Sequence, residues 1–130
     1  MKTFSVCSSE RETCIEITGH ISEIVRKSGV SEGGCLIFCR HTTAGVFVNE
    51  NADPDVIHDV LAALGGMVPS DGAWKHGEGN APAHVKAILT GASVVIPISD
   101  GRVQLGRWQG VFLAEFDGPR ERSVSVQILS

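Results

Sequence analysis

The sequence predicts an α+β fold: a single domain, mainly antiparallel sheet or sandwich, of about eight strands with two or three inserted helices. Short segments that alternate polar and apolar residues lie near both ends of the chain, and helix-like segments interrupt them without strict strand and helix alternation. The 130 residues, 42% of them hydrophobic, match the length of one domain with its own core. We therefore expect residues 1–130 to fold as one unit.

The first half of the chain predicts strands around one short helix. Residues 3–8 and 14–18 alternate in polarity, and the polar stretch between them predicts the turn of an antiparallel hairpin. Ile21, Ile24 and Val25 follow at helical spacing, with Gly29 as a C-terminal cap. The next two apolar segments, residues 35–41 and 42–50, indicate one strand with a kink near residues 42–45.

A second helix is predicted after that strand. Asp53 is a suitable N-cap, Pro54 suits the first helical position, and the glycines at positions 65 and 66 predict the end of the helix. Its predicted buried face is formed by Ile57, Val60, Leu61 and Leu64.

The second half of the chain begins with a long loop, residues 67–82, which lacks periodicity and is typical of a lid or a binding loop. A third helix is predicted from Pro82, with Val85, Ile88 and Leu89 turned inward, before Gly91. Four further strands, joined by turns, are expected in residues 93–129.

Charge and cysteine content exclude several classes of function. The net charge is −4 and the 11 lysines and arginines are scattered, so nucleic acid is not an expected partner. No apolar run is long enough to span a bilayer, and no signal segment is recognisable, so we expect a cytoplasmic protein without a membrane partner. The four cysteines form no CxxC pair, and Cys35 and Cys39 are expected to be reduced core thiols.

Histidine most often supplies a metal ligand or a general base near neutral pH. His20 and His58 lie on helical segments and are interpreted as surface residues. His41 stands where an apolar strand meets the kink, His76 lies in the long loop, and His84 falls in the first turn of the third helix. Three converging imidazoles would suit a Zn²⁺ ion with one open position, but their spacing leaves convergence open.

Two further groups of residues are candidates for chemistry. Glu50 follows the kinked strand and has no obvious structural task, and it can share a site with His41 only if the kink folds the chain or a second subunit contributes. Trp108 and Gln109 offer an aromatic face and an amide between two glycines, although a hairpin with Trp108 packed on the core is the alternative. Phosphate could be bound by arginines in or beside turns, namely Arg102, Arg107, Arg120 and Arg122.

The segments HTTAGVFVNENADPDV and WKHGEGNAPAH, with the C-terminal part of the chain, closely resemble the YjbQ family, whose members are often named secondary thiamine-phosphate synthases. The resemblance rests on the motifs H-T-T, N-E-N-x-D-P, N-x-x-x-H and L-G-x-W-Q, and it covers residues 34–130 closely. It implies an α+β domain assembled as a homotrimer, with a site near the subunit interface. It also implies a weak activity that joins an aminopyrimidine diphosphate to a thiazole phosphate with loss of pyrophosphate.

The resemblance raises the expectation that three histidines share a divalent metal site, with Zn²⁺ as the metal and Mg²⁺ as an alternative for the diphosphate substrate. The expected metal ligands are His41, His76 and His84. The expected catalytic residues are His41, Thr42, Glu50 and Asp53. The expected contacts to a phosphorylated substrate are Asn80, Arg102, Arg107, Trp108 and Gln109.

Two other functions stay open at this stage. One is a different metal-dependent reaction on a phosphorylated or carbonyl metabolite, with Glu50 as the base. The other is a non-catalytic module that binds a metabolite in the same pocket.

Overall fold

The structure, a computed structural model that describes residues 1–130, contains eight strands and three helices. In chain order these are β1 (Lys2–Cys7), β2 (Thr13–Glu16), α1 (Thr18–Ser28), β3 (Gly33–Cys39), β4 (Ala44–Glu50), α2 (Pro54–Met67), α3 (Ala81–Thr90), β5 (Ser93–Ser99), β6 (Arg102–Val103), β7 (Gln109–Glu115) and β8 (Glu121–Leu129). The predicted α+β class and the predicted number of strands are confirmed.

The strands form two antiparallel sheets. Sheet A has the order β1-β8-β3-β5-β6, and sheet B has the order β2-β7-β4. The inner faces of both sheets and the buried side of α1, with Ile21 and Val25, share one apolar core of 15 buried residues. None of the three helices has the length and hydrophobicity of a membrane-spanning segment.

The predicted hairpin of β1 and β2 is wrong, because the two strands lie in different sheets. β1 pairs with β8 and β2 pairs with β7. The polar residues between β1 and β2 cross from sheet A to sheet B and pair with the β7–β8 connection. The backbone N–H of Ser8 donates to the carbonyl of Arg120 at 2.9 Å, and the backbone N–H of Gly118 donates to the carbonyl of Arg11 at 2.9 Å. Alternating polarity predicts a strand and its buried face, but it does not specify the partner strand.

The predicted kink is the place where the chain leaves sheet A for sheet B. β3 ends at Cys39 and β4 begins at Ala44, so the two segments are separate strands rather than one bent strand. A side chain on Gly45 would overlap the Thr90 hydroxyl and the Gly91 carbonyl. Glycine at this position therefore lets the end of α3 approach β4 closely.

Helix α2 begins as predicted but ends later. The Asp53 carboxylate accepts a hydrogen bond from the N–H of Asp55 at 2.9 Å, and Pro54 opens the helix. The helix continues through both glycines to Met67, since a helical glycine costs only about 1 kcal/mol. The predicted buried face is only half-buried, and no residue of α2 is fully buried.

The predicted inward face of α3 is also wrong. Ile88 and Leu89 are 81% and 52% exposed, and Val85 is half-buried. The buried positions are instead Ala81, Ala83, Lys86 and Ala87. Small alanine side chains let the helix lie close to sheet B, which leaves the larger aliphatic side chains outside.

All four cysteines are free, and Cys35 and Cys39 are buried in the core as predicted. Burial raises the pKa of Cys35 to about 11. Burial, with a smaller contribution from Glu12, raises the pKa of Cys14 to about 12. Because thiolates are the reactive form, these two thiols are unreactive near neutral pH.

A buried ion pair joins the two sheets beside the kink. Arg122 of β8 is 2% exposed and Glu115 of β7 is fully buried. The arginine Nε donates to a Glu115 carboxylate oxygen at 2.8 Å, and its Nη2 donates to the other oxygen. Nη2 also donates to the hydroxyl and the carbonyl of Thr43, at 2.8 and 3.2 Å. The Ser8 hydroxyl donates to Glu115 at 2.8 Å. One cluster therefore connects β7, β8, the β1–β2 loop that contains Ser8 and the β3–β4 loop that contains Thr43.

The pKa of Glu115 reflects this cluster. Burial alone would raise the pKa, but hydrogen bonds from Arg122, the Asp117 N–H and the Ser8 hydroxyl lower it below the ordinary value of 4.5. Glu115 is therefore ionised at neutral pH and forms a true ion pair with Arg122.

Replacing Arg122 by Met should lower the free energy of unfolding by about 3–5 kcal/mol, because the substitution leaves the Glu115 charge buried and unpaired. Urea unfolding followed by circular dichroism measures the change. The exposed pair Arg26–Glu23 supplies the control, since an ion pair in water contributes little and Arg26→Met should leave stability nearly unchanged. Adding Glu115→Leu to Arg122→Met should recover stability; a double variant less stable than Arg122→Met would contradict this account.

Candidate functional site

The side chain of His41 is fixed at the end of sheet A. β3 and β8 pair as far as Cys39 and Val124, and His41 then folds back so that its Nε2 accepts a hydrogen bond from the Ser123 N–H at 2.8 Å. The chain after His41 is anchored where Arg122 binds Thr43. The predicted catalytic histidine is therefore held by the fold rather than left free on a loop.

His41 lies in positive surroundings. Burial lowers its pKa, Arg122, Arg120 and Arg40 lower it further, and Glu115 partly opposes them. The ring is therefore neutral at pH 7. Arg122 and Arg120 are balanced by Glu115 and Asp117, so Arg40 supplies the unpaired positive charge that favours an anionic ligand near His41.

A groove of about 350 Å³ brings two of the predicted histidines together. His41 and Thr42 line one side, and His84 and Ile88 of α3 line the other. His76, in the loop before α3, contacts His84 edge to face, with 5.2 Å between ring centroids. The long loop thus returns to the groove, as a binding loop would.

Asn80 lies at the start of α3, one helical turn before His84. Its Nδ2 donates to the Asp117 carboxylate at 2.8 Å, and its Oδ1 is buried without a hydrogen-bond partner. Asp117 also pairs with Arg120 at 3.1 Å. Asn80 therefore lies at the same end of the domain as His41, Thr42 and both groove histidines.

The three predicted metal ligands do not form a complete metal site within one chain. His76 and His84 are adjacent, but the Nε2 lone pair of His41 is occupied by the Ser123 N–H. No group of three or more His, Cys, Asp or Glu side chains is arranged to hold a metal ion.

Glu50 and Asp53 lie together at the opposite end of β4, in a separate cleft of about 270 Å³. Glu50 has a structural task that the sequence did not indicate: its carboxylate accepts a hydrogen bond from the Asp53 N–H at 3.2 Å. Asp53 in turn caps α2. The strand and the helix are thus connected by two successive carboxylates.

Trp108, Gln109 and Arg107 lie beside Glu50. Gln109 pairs with Glu50 in the β4–β7 register, and the Asn51 N–H donates to the Trp108 carbonyl at 2.9 Å. Trp108 is 55% exposed and the Arg107 guanidinium stacks on its ring at 4.7 Å, so Trp108 is not packed in the core. The Gln109 side chain accepts from the Gly106 N–H at 2.7 Å and closes its own turn.

The predicted site residues therefore separate into two groups along β4. We call the groove around His41, Thr42, Asn80, His76 and His84 the histidine end, and the group Glu50, Asp53, Arg107, Trp108 and Gln109 the tryptophan end. β4 spans six residue steps from Ala44 to Glu50, which places the two ends about 20 Å apart. Within one chain they cannot contact the same small molecule.

Arg102 belongs to neither end. It lies on β6 in a third cleft with Arg26 and Asp100. β6 pairs with the C-terminal end of β5, whereas His41 follows the part of β3 that pairs with the N-terminal end of β5. One arginine that the sequence reasoning missed directly precedes His41 in the chain. Arg40 is exposed and lowers the pKa of His41 through its charge. It takes part in none of the salt bridges of the chain. Its position directly before the H-T-T motif could have indicated Arg40 as a candidate from the sequence.

The largest cleft of the domain, about 600 Å³, lies elsewhere, between β1, β8 and α1. His20, interpreted from the sequence as a surface residue, stacks on Phe4 there with 4.5 Å between ring centroids. This cleft contains none of the predicted site residues, so we place the candidate site at the smaller groove.

Comparison with known proteins identifies the family. A family model described as UPF0047 protein YjbQ-like matches residues 2–130. The chain belongs to the YjbQ family. UPF0047 protein MJ1081 of Methanocaldococcus jannaschii is 44% identical to this YjbQ-family chain over 126 residues, covering 97% of this chain and 91% of that protein. UPF0047 protein YugU of Bacillus subtilis is 39% identical over 130 residues, with 99% and 98% covered.

Solved structures of YjbQ-family proteins share the fold. A crystal structure of a YjbQ/UPF0047 protein from Clostridium acetobutylicum matches this chain with a TM-score of 0.97 at 47% identity, covering 99% of this chain and 100% of that chain. A YjbQ-like protein from Sulfolobus solfataricus matches with a TM-score of 0.95 at 36% identity, covering 99% and 95%. The resemblance seen in the sequence motifs is confirmed.

The lowered pKa of His41 predicts a pH dependence of stability. Since the folded chain favours the neutral ring, its contribution is complete above the ordinary pKa of 6.5 and is lost as the pH falls below that value toward the folded pKa. Urea unfolding between about pH 7.5 and about pH 5.5 should show this loss. His41→Gln keeps an acceptor for the Ser123 N–H but does not titrate, so its stability should fall less over this range. Equal slopes for both proteins would contradict the assignment.

Proposed function

We propose that the protein joins an aminopyrimidine diphosphate to a thiazole phosphate, as its resemblance to secondary thiamine-phosphate synthases implies. A bond forms between the thiazole nitrogen and the methylene carbon of the pyrimidine, the bond from that carbon to the diphosphate oxygen breaks, and pyrophosphate leaves with the electron pair. No oxidant is required. Such a reaction needs stabilisation of the leaving pyrophosphate and a pocket for a flat, positively charged pyrimidine.

The observation that supports this proposal best is the chemical difference between the two ends of β4. At the histidine end, Arg40 and the neutral ring of His41 suit an anionic pyrophosphate. At the tryptophan end, the Glu50 carboxylate and the part of the Trp108 ring that the stacked Arg107 guanidinium leaves uncovered suit a cationic aromatic ring. Substrate contacts by Asn80 and Gln109 are part of the same proposal.

Because these ends lie about 20 Å apart in one chain, we propose a site shared between subunits of a homotrimer. The outer face of sheet A supports an assembly. Phe38, Val95 and Leu129 are 43%, 61% and 43% exposed on that face, and exposed apolar groups of this kind mark contact surfaces. The four free thiols favour a reducing compartment, so we place the protein in the cytoplasm.

A metal-dependent reaction on a phosphorylated metabolite is the second candidate, favoured by the contact between His76 and His84. These imidazoles would supply two ligands for a Zn²⁺ ion, and a donor such as Glu50 of a neighbouring subunit would supply another. Mg²⁺ bound to the diphosphate is the alternative. Elemental analysis of protein purified without added metal tests this candidate, which requires one ion per subunit in the wild type and loss of that ion in His84→Ala.

The transferase proposal predicts formation of thiamine phosphate when the protein is incubated in excess over its two precursors. Arg40→Gln should raise the KM for the diphosphate about tenfold, because a charge-assisted contact to phosphate is lost. Arg26→Gln, in the cleft beside Arg102, is the matched control and should leave KM unchanged. Absence of product at excess protein would contradict the proposal, and tight binding of the diphosphate without product would favour the binding module instead.

The assembly proposal predicts a particle of about 41 kDa, three times the chain mass of 13.8 kDa, in size-exclusion chromatography with light scattering. Val95→Glu places a charge in the centre of the exposed apolar face and should shift the particle toward the monomer mass. Thr3→Glu, on the polar part of the same face, should leave the mass unchanged. A monomeric wild type would contradict a shared site.

A further inference from the structure

Two consecutive residues of β8 hold the loop that carries His41. The Ser123 N–H donates to the imidazole Nε2 at 2.8 Å. Arg122, the preceding residue, binds the hydroxyl and the carbonyl of Thr43 at 2.8 and 3.2 Å. These contacts occur immediately beyond the last β3–β8 pair, Cys39 with Val124, so they replace the backbone pairing that stops there.

The contact with Ser123 determines which ring nitrogen of His41 carries the proton. A backbone N–H can only donate, so Nε2 must be the unprotonated acceptor. A neutral imidazole has one N–H, which is therefore on Nδ1. Since Nε2 is occupied, Nδ1 is the ring nitrogen left for a molecule in the groove, and a neutral ring would contact such a molecule there as a donor.

We propose that Arg122 is a positioning residue that holds His41 as an Nδ1–H donor to a phosphate oxygen in the groove. Arg122 does not contact the ligand itself, because it is 2% exposed and directs its N–H groups at Glu115 and Thr43. Glu115 fixes the guanidinium plane, and the guanidinium fixes the turn between β3 and β4. The choice of phosphate as ligand rests on the proposed function, whereas the positioning role does not.

Nitrogen-15 NMR of the imidazole tests the positioning role without any assay of activity. At about pH 8, where the ring is neutral, the His41 signals should show a protonated Nδ1 and an unprotonated Nε2. Arg122→Lys removes the fork that reaches Glu115 and Thr43 together, and it should give a mixture of both tautomers. Thr43→Val keeps nearly the same shape without the hydroxyl and should act in the same direction if Arg122→Lys fails to fold. Thr43→Ser, which keeps the hydroxyl that binds Arg122, should show the same signals as the wild type.

Titration with inorganic pyrophosphate tests the ligand. The Nδ1 proton signal of the wild type should shift, and Thr43→Val should weaken the affinity about tenfold or more, while Thr43→Ser should not. A protonated Nε2 in the wild type, or wild-type signals in both Arg122→Lys and Thr43→Val, would overturn the positioning role. The expected tautomer without any response to pyrophosphate would support the positioning role and count against the proposed function.

Discussion

The structure depends most on one buried charge pair, Arg122 with Glu115. Both sheets end at this pair: Glu115 closes β7 of sheet B, and Arg122 lies near the start of β8 of sheet A. Burying two charges is costly unless every polar atom finds a partner, and here Ser8 and Thr43 complete the hydrogen bonding. A purely apolar contact would stabilise the sheets equally well but would not orient the loop that enters the groove.

The buried ion pair is therefore linked to the candidate site through a few consecutive residues of the β3–β4 loop. The chain leaves sheet A after Cys39, is fastened at Thr43, and continues as β4 in sheet B. His41 lies in the middle of this crossing, where the backbone cannot pair with a strand and the imidazole takes the place of a pairing partner. The helix that supplies His84 can approach because Gly45 carries no side chain.

The sequence predicted the elements better than their partners. Alternation and capping located most strands and the start of α2, because those signals depend on neighbouring residues. The pairing of β1 with β8, more than a hundred residues away, is not encoded locally, and the buried face of α3 was missed because small alanines rather than large aliphatics face sheet B. For the site, the polar kink indicated His41, and the length of the strand already indicated that Glu50 lies away from it. The hydrogen bond between the Glu50 carboxylate and the Asp53 N–H could not be predicted, because it depends on how the chain turns from β4 into α2.

The central claim is that the histidine end of one subunit and the tryptophan end of another form one site. Mixed refolding of His84→Ala and Glu50→Ala subunits tests it most directly, with calorimetry of the aminopyrimidine diphosphate as the measurement. Each variant alone should lack tight binding, and random mixing in equal amounts should restore about one site in four, because only that share joins two intact ends. No recovery of sites in the mixture, or full binding by either variant alone, would contradict the claim.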